Sequence, residues 1–190
     1  ADAGLHMPDF RAAEHAYHVL QDAVALARVD GTGQVLIQTY LPDHHAIQAV
    51  IRHDGSVFNE PESAFRKALQ YPPFSHLVRL DVSGTSERHV KSAAERWAAA
   101  LRRAMADENR SPDGSARSVD PAGGRLVAVL GPAPAPVPRL RRRYRWQLLV
   151  RSDSQENLLR VVSHTLPGME GLSRSGGIKF TVDVDPLTML

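Results

Sequence analysis

The sequence predicts an α+β fold, and three observations carry that expectation. Stretches with apolar residues every 3.6 positions are interspersed with short runs that alternate apolar and polar residues, so helices and half-buried strands are both expected. After residue 71 these elements fall in the order β-α-β-β-α-β, which suits an antiparallel sheet with both helices on one face. Between the two halves stands YPPF (71–74), where paired prolines hold the chain extended and bar a helix, so the expected domains are 1–70 and 71–190.

The first half opens on an amphipathic helix. Phe10, Ala13, Tyr17, Leu20, Val24 and Ala27 share its face, Asp9 stands where an N-cap belongs, and the turn DGTG (30–33) ends it. Residues 34–40 (QVLIQTY) read as a strand, rich in β-branched and aromatic side chains. Pro42-Asp43 closes it, with Asp43 expected to cap a short helix through Arg52. A further helix over 56–69 places Phe58, Phe65 and Leu69 on one side and tolerates Pro61 only in its first turns.

In the second half, residues 76–82 alternate as a strand. A helix follows over 87–105, with Val90, Ala94, Trp97, Leu101 and Met105 on its buried face. Residues 107–124, rich in Ser, Pro and Gly, read as a surface loop. A strand over 126–130 leads into GPAPAPVP (131–138), expected as extended polyproline-like chain. Then come a strand over 144–150, a helix over 154–166 and a final strand over 178–184. The architecture expected of this half is ferredoxin-like, also called ribosomal-protein-like.

With 190 residues and 43% of them hydrophobic, the chain can build a real core. Cysteine is absent, which excludes disulfides and thiolate metal sites within the chain. No apolar run approaches the roughly 20 residues a membrane helix needs. The start, ADAGLHMPDF, has neither an initiator Met nor an apolar signal segment, and reads as a cut through a longer, soluble, cytoplasmic protein.

Net charge is only +2, yet five of the seven residues from 139 to 145 are arginine. On a strand, Arg143, Arg145 and Gln147 share one face and Tyr144 and Trp146 the other. Guanidinium forks suit phosphate or carboxylate, and Gln147 adds a neutral donor and acceptor beside them. An edge guarded against sheet-to-sheet pairing would also carry arginine, but does not require this density. Among nine histidines, His44, His45 and His53 are the best metal candidates. Adjacent helical histidines diverge by about 100°, and no carboxylate completes the set, so these read as surface residues. Asp183 and Asp185, followed by Pro186, read as a strand end and not as a catalytic pair. No phosphate-cradling loop, nucleophile elbow or dinucleotide turn is present.

Several segments together resemble the C-terminal part of the PriA family of bacterial primosomal replication-restart helicases. DFRAAE (9–14) resembles the family's PDFRAAER. GQVLIQTYLP (33–42) resembles its G-x-V-x-x-Q-T-x-x-P strand. YPPF (71–74) resembles its junction of the same spelling. VLGPAPA (129–135) with YRWQLL (144–149) resembles its VLGPxPA…YRxQLL core, and DVDP (183–186) its closing segment.

That resemblance implies that residues 1–70 end a second RecA-like helicase lobe and that 71–190 form a DNA- and partner-binding domain. The implied partners are forked or branched DNA with single-strand–double-strand junctions, the acidic, Phe-ending tail of single-stranded-DNA-binding protein, and other primosome proteins, in the cytoplasm at the nucleoid and not at a membrane. Arg139, Arg141, Arg142 and Arg145 are the implied DNA contacts, while Arg143 and Gln147 fall where the family's tail-binding Arg and Gln lie. The parent family uses ATP with Mg and holds zinc through cysteines, which lie outside this chain. Helicase motif VI, QVAGRAGR, should occupy 21–28, where this sequence has QDAVALAR. Gln21 and Arg28 remain, but Val24 and Ala27 replace glycines and Ala25 replaces the first arginine. Motif VI arginines stabilise charge on the γ-phosphate, so the resemblance implies lost or weak hydrolysis and no cofactor in this chain. Two other readings compete: the C-terminal portion of an active ATP-dependent 3′–5′ DNA helicase, and a free-standing RNA-binding domain of ferredoxin-like fold. The helicase-like segment before Tyr71 argues against the second.

Overall fold

The computed structural model describes residues 2–27, 33–108 and 128–189. It divides into two compact units, Ala1–Gln70 and Tyr71–Thr188. Most of the 107–124 stretch, residues 126–127, Arg28 and most of the 30–33 turn lie outside the described residues.

The first unit is built of helices: α1 (Asp2–Leu5), α2 (Ala12–Ala27), α3 (His45–Arg52) and α4 (Ser56–Leu69). Asp9 acts one turn ahead of α2, its carboxylate accepting from Arg11 N–H at 2.9 Å and its carbonyl from Ala12 N–H at 3.0 Å. The core is Tyr17, Ala46, Ala49, Val50 and Phe58. The Tyr17 and Phe58 rings stack at 4.4 Å, which ties α2 to α4. The helix at Ser56–Leu69 has the expected bounds and runs through Pro61. Phe65 and Leu69, expected beside Phe58, are exposed, because Glu62 continues the buried face instead. Glu62 is a buried carboxylate with two partners: Arg66 Nε donates to it at 2.8 Å and His45 Nε2 lies 3.2 Å away. Arg66 also reaches Glu14 on α2 at 2.7 Å. Burial opposes ionisation of Glu14, but the Arg66 hydrogen bond and charge outweigh it and hold the carboxyl below its ordinary value.

Two local expectations for this unit are corrected. Asp43 does not cap α3, since it lies in the turn closed by His44 N–H on the Leu41 carbonyl; His44 Nδ1 accepts from Ala46 N–H instead. Residues 34–40 form no strand. A strand needs a bonded neighbour, and the other described elements of this unit are all helices. The end of the segment is held instead by Asp2, whose carboxylate accepts from the Thr39 hydroxyl and the Tyr40 N–H. Leu36 and Tyr40 stand 95% and 93% exposed.

The second unit carries β1 (His76–Gly84), α5 (Glu87–Glu108), β2 (Ala128–Leu140), β3 (Arg143–Ser152), α6 (Gln155–Gly176) and β4 (Lys179–Val184). The four strands form one antiparallel sheet in the order β2-β3-β1-β4. Val78, Leu80 and Val82 of β1 and Leu148 and Val150 of β3 meet Val90, Ala94, Trp97 and Leu101 of α5 and Leu158, Val161 and Val162 of α6 in a single core. Trp97 is its centre: fully buried, edge-on to Phe180 at 5.2 Å, its indole N–H donating to Thr165 Oγ1 at 3.0 Å. Met105, expected on the buried face of α5, is half-buried against that core.

α6 runs to Gly176, beyond the expected stop at Leu166, and contains Pro167. A mid-helix proline costs about 3 kcal/mol, but continuing the helix buries Met169 and packs Leu172 on the core. The expected polyproline run is part of β2, with register irregularities between Leu130 and Ala133 and between Pro134 and Arg139. β2 is an edge strand, where Pro132, Pro134, Pro136 and Pro138 are tolerated, and the register irregularities fall in the same stretch. At Gly131, φ is +88° and an added Cβ would stand 3.1 Å from the Gln147 carbonyl oxygen, so a side chain there would be strained.

Candidate nucleic-acid interface

The β2–β3 hairpin turns at Arg141 and Arg142, between the cross-strand pair Leu140 and Arg143. Arg141 has φ 48° and Arg142 φ 62°, both in the left-handed region. Two consecutive positive-φ residues are what a tight type I′ hairpin turn demands, and Asn-Gly is the sequence that meets it without strain. An L-residue with a long side chain costs about 1–2 kcal/mol at each such position. The sequence therefore holds two arginines at the apex against the preference of the backbone, a cost that points to a use for their side chains.

The other candidate residues are distributed along the hairpin below that apex. Arg139 is exposed and lies over the ring of its cross-strand partner Tyr144, 5.0 Å from the centroid. Arg143 is half-buried, and its Nη2 donates to the carbonyls of Ser83 and Gly177, each at 3.0 Å. It thereby ties the hairpin to the end of β1 and to the cap of α6. Arg145 and Gln147 lie further along, on the sheet face opposite the helices, while Trp146 packs against the core.

That face carries a largely buried ion-pair lattice that sequence reasoning did not anticipate, the Arg79, Asp81 and Arg145 side chains being 11%, 13% and 18% exposed. Arg79 donates to Asp81 and to Asp183, both at 3.1 Å, and to the Thr188 carbonyl at 2.6 Å. Arg145 lies 3.9 Å from the remaining oxygen of Asp81. Its charge is thus partly balanced within the protein, which distinguishes it from the apex. Among the described residues, neither Arg139, Arg141 nor Arg142 has a carboxylate within ion-pair distance. Gln147 sits directly across from Asp81, and its Oε1 is buried without a hydrogen-bond partner among the described residues. The alternation of Arg79, Asp81 and Ser83 with apolar residues was the available signal for this lattice.

The six candidate residues therefore fall into two zones: Arg139, Arg141 and Arg142 at the apex, without a carboxylate partner among the described residues, and Arg143, Arg145 and Gln147 along the sheet. In the first unit, Gln21 is engaged by its own helix, its amide donating to the Tyr17 hydroxyl at 2.6 Å. Arg28 lies outside the described residues. His44 and His45 stack at 4.3 Å, and burial, then the neighbouring His45, hold the His44 imidazole below its ordinary value. Among the described residues no group of three or more His, Cys, Asp or Glu is placed to hold a metal ion. Among them, too, no helix is long and apolar enough to cross a membrane. Asp185 closes the sheet, its N–H donating to the Leu77 carbonyl at 2.8 Å.

Residues 67–187 match the family model described as the primosomal protein N C-terminal domain. Three relatives are named replication restart protein PriA. The chain is 34% identical to the one from Synechocystis sp. over 192 residues, which covers all of this chain and 20% of the relative. It is 28% identical to the Bacillus subtilis protein over 191 residues, covering all of this chain and 22% of the relative. It is 33% identical to the Treponema pallidum protein over 191 residues, covering all of this chain and 26% of the relative. The chain thus spans about a fifth to a quarter of the length of these relatives.

Proposed function

The chain belongs to the primosomal protein N C-terminal domain family, and from that premise we propose that it is the C-terminal part of a replication-restart protein. In this reading it binds branched DNA through the hairpin apex, takes the tail of single-stranded-DNA-binding protein on β3, and scaffolds the loading of other primosome proteins. The observation that carries the DNA contact is the strained turn of Arg141 and Arg142, with Arg139 beside it and no carboxylate within ion-pair distance of the three among the described residues. Phosphate oxygens are the partners such planar donor forks suit. Arg145, balanced by Asp81, contributes less. The work would be done in the cytoplasm, on nucleoid DNA.

For the tail peptide, support comes from the β3 face. Arg143 and Gln147 share it, and Gln147 retains an acceptor with no partner among the described residues. A terminal carboxylate on the guanidinium and a peptide N–H on Gln147 Oε1 would complete both groups. In the intact parent protein, Gln147→Ala is expected to weaken binding of the tail peptide roughly tenfold, and Arg143→Ala more, since a hydrogen bond to a charged group is worth about 1.5–3 kcal/mol. Isothermal titration measures both. An unchanged dissociation constant in the two variants refutes the assignment.

Unit 2 is read as a ferredoxin-like split sandwich, which its β-α-β-β-α-β element order and its β2-β3-β1-β4 strand order support. Unit 1 is read as the end of a helicase lobe, which the resemblance of DFRAAE (9–14) and GQVLIQTYLP (33–42) to the family's segments supports. Val24, Ala25 and Ala27 do not fit a γ-phosphate site, so the parent protein is expected to hydrolyse ATP weakly or not at all. DNA-stimulated turnover at ordinary helicase rates would overturn that expectation and favour an active helicase.

A further inference from the structure

One apex residue has no part in the phosphate contacts. Leu140 lies between Arg139 and Arg141, is 51% exposed, and belongs neither to the core nor to the residues packed against it. Its cross-strand partner is Arg143, whose Nη2 is bonded to the carbonyls of Ser83 and Gly177. A large apolar side chain at this point lies outside the core and exposes apolar surface to water. Beside it stand two arginines in a backbone conformation that favours glycine or asparagine. Three consecutive residues, Leu140, Arg141 and Arg142, thus depart from what stability alone would select.

The mounting of the apex is rigid. Arg143 joins the base of the hairpin to the end of β1 and the cap of α6, and Tyr144, the seat of Arg139, packs on the core. A probe held in this way loses little freedom on binding. We infer that the apex is a nucleic-acid wedge: Leu140 enters between bases at a junction of single and double strand, while Arg139, Arg141 and Arg142 hold the flanking phosphates. Apolar side chains flanked by basic ones unstack base steps in this manner, and the unstacking is least costly where a duplex already ends. The inference rests on the DNA-binding reading above and adds to it a residue that touches bases.

The test uses the full 190-residue chain and a forked duplex with 2-aminopurine at the junction base pair. Unstacking brightens this probe, so the wild-type chain is expected to raise its emission about threefold at saturation. Leu140→Ser is expected to bind the fork within about twofold of wild type and to give no rise, because the phosphate contacts remain. Arg141→Asn with Arg142→Gly is expected to raise the melting temperature by about 5 °C while weakening binding about tenfold or more, since it relieves the turn and removes two charges. Binding of the wild-type chain without a rise overturns the wedge and leaves DNA binding standing. An equal rise with Leu140→Ser also overturns it. Failure of the wild-type chain to bind the fork at low salt overturns both readings.

Discussion

Exchanging Arg139, Arg141 and Arg142 together for glutamine is expected to lower the affinity of the chain for a forked duplex about a hundredfold at about 50 mM salt. Charge-assisted bonds at an exposed site are worth up to about 1 kcal/mol each, and three of them multiply to that factor. Glutamine occupies the left-handed region no more easily than arginine, so strain in the turn is unchanged and the melting temperature should stay within a degree or two. The same exchange at Arg145 is expected to matter less, because Asp81 lies 3.9 Å from that guanidinium and already balances part of its charge. Fluorescence anisotropy with a labelled fork separates the two cases. Equal losses at Arg145 and at the apex would mean that the contact surface is the sheet and not the turn.

The second large effect is on stability. Trp97→Ala is expected to cost about 3–5 kcal/mol, the usual range for deleting a fully buried aromatic side chain. Its ring fills the space between α5, α6 and the sheet, meets Phe180 edge-on, and bonds Thr165 through its indole nitrogen. Thr165 keeps an acceptor in the Val162 carbonyl at 2.8 Å, so the loss is mainly a cavity and not an orphaned hydroxyl. Against a domain stability of about 5–15 kcal/mol, such a loss leaves the second unit marginal. Urea unfolding followed by circular dichroism measures it, with Trp97→Phe as the milder control. A cost below about 1 kcal/mol for the alanine variant would show that Trp97 is not the centre of the core.

The helices and strands of the second unit were legible because their periodicity is strong and their buried residues are large and apolar. Val90, Ala94, Trp97 and Leu101 could be assigned to one face from spacing alone, as could the separation of Arg143, Arg145 and Gln147 from Tyr144 and Trp146. What tertiary contacts decide was not legible. Pro167 marks a helix end in sequence, yet burial of Met169 carries α6 past it. The prolines of β2 read as a separate extended segment, since nothing local says that they belong to an edge strand of a sheet. Residues 34–40 have the composition of a strand, but composition cannot supply a neighbour. At the candidate site, arginine density was visible, whereas the division of labour within it was not. That Arg143 is anchored on backbone carbonyls and Arg145 is offset by Asp81 follows from the register of β1 against β3, which no local pattern encodes.

The central claim is that the hairpin apex binds DNA through phosphate, and its salt dependence is the most direct measure of it. Each neutralised phosphate releases counterions and contributes about −0.9 to the slope of log K against log salt on duplex DNA. The wild-type chain is expected to give a slope steeper by about 2.7 than the triple glutamine variant, so that raising salt from about 50 to 200 mM costs it roughly fortyfold more affinity. Parallel lines for the two proteins, or a flat line for the wild type, would contradict the account.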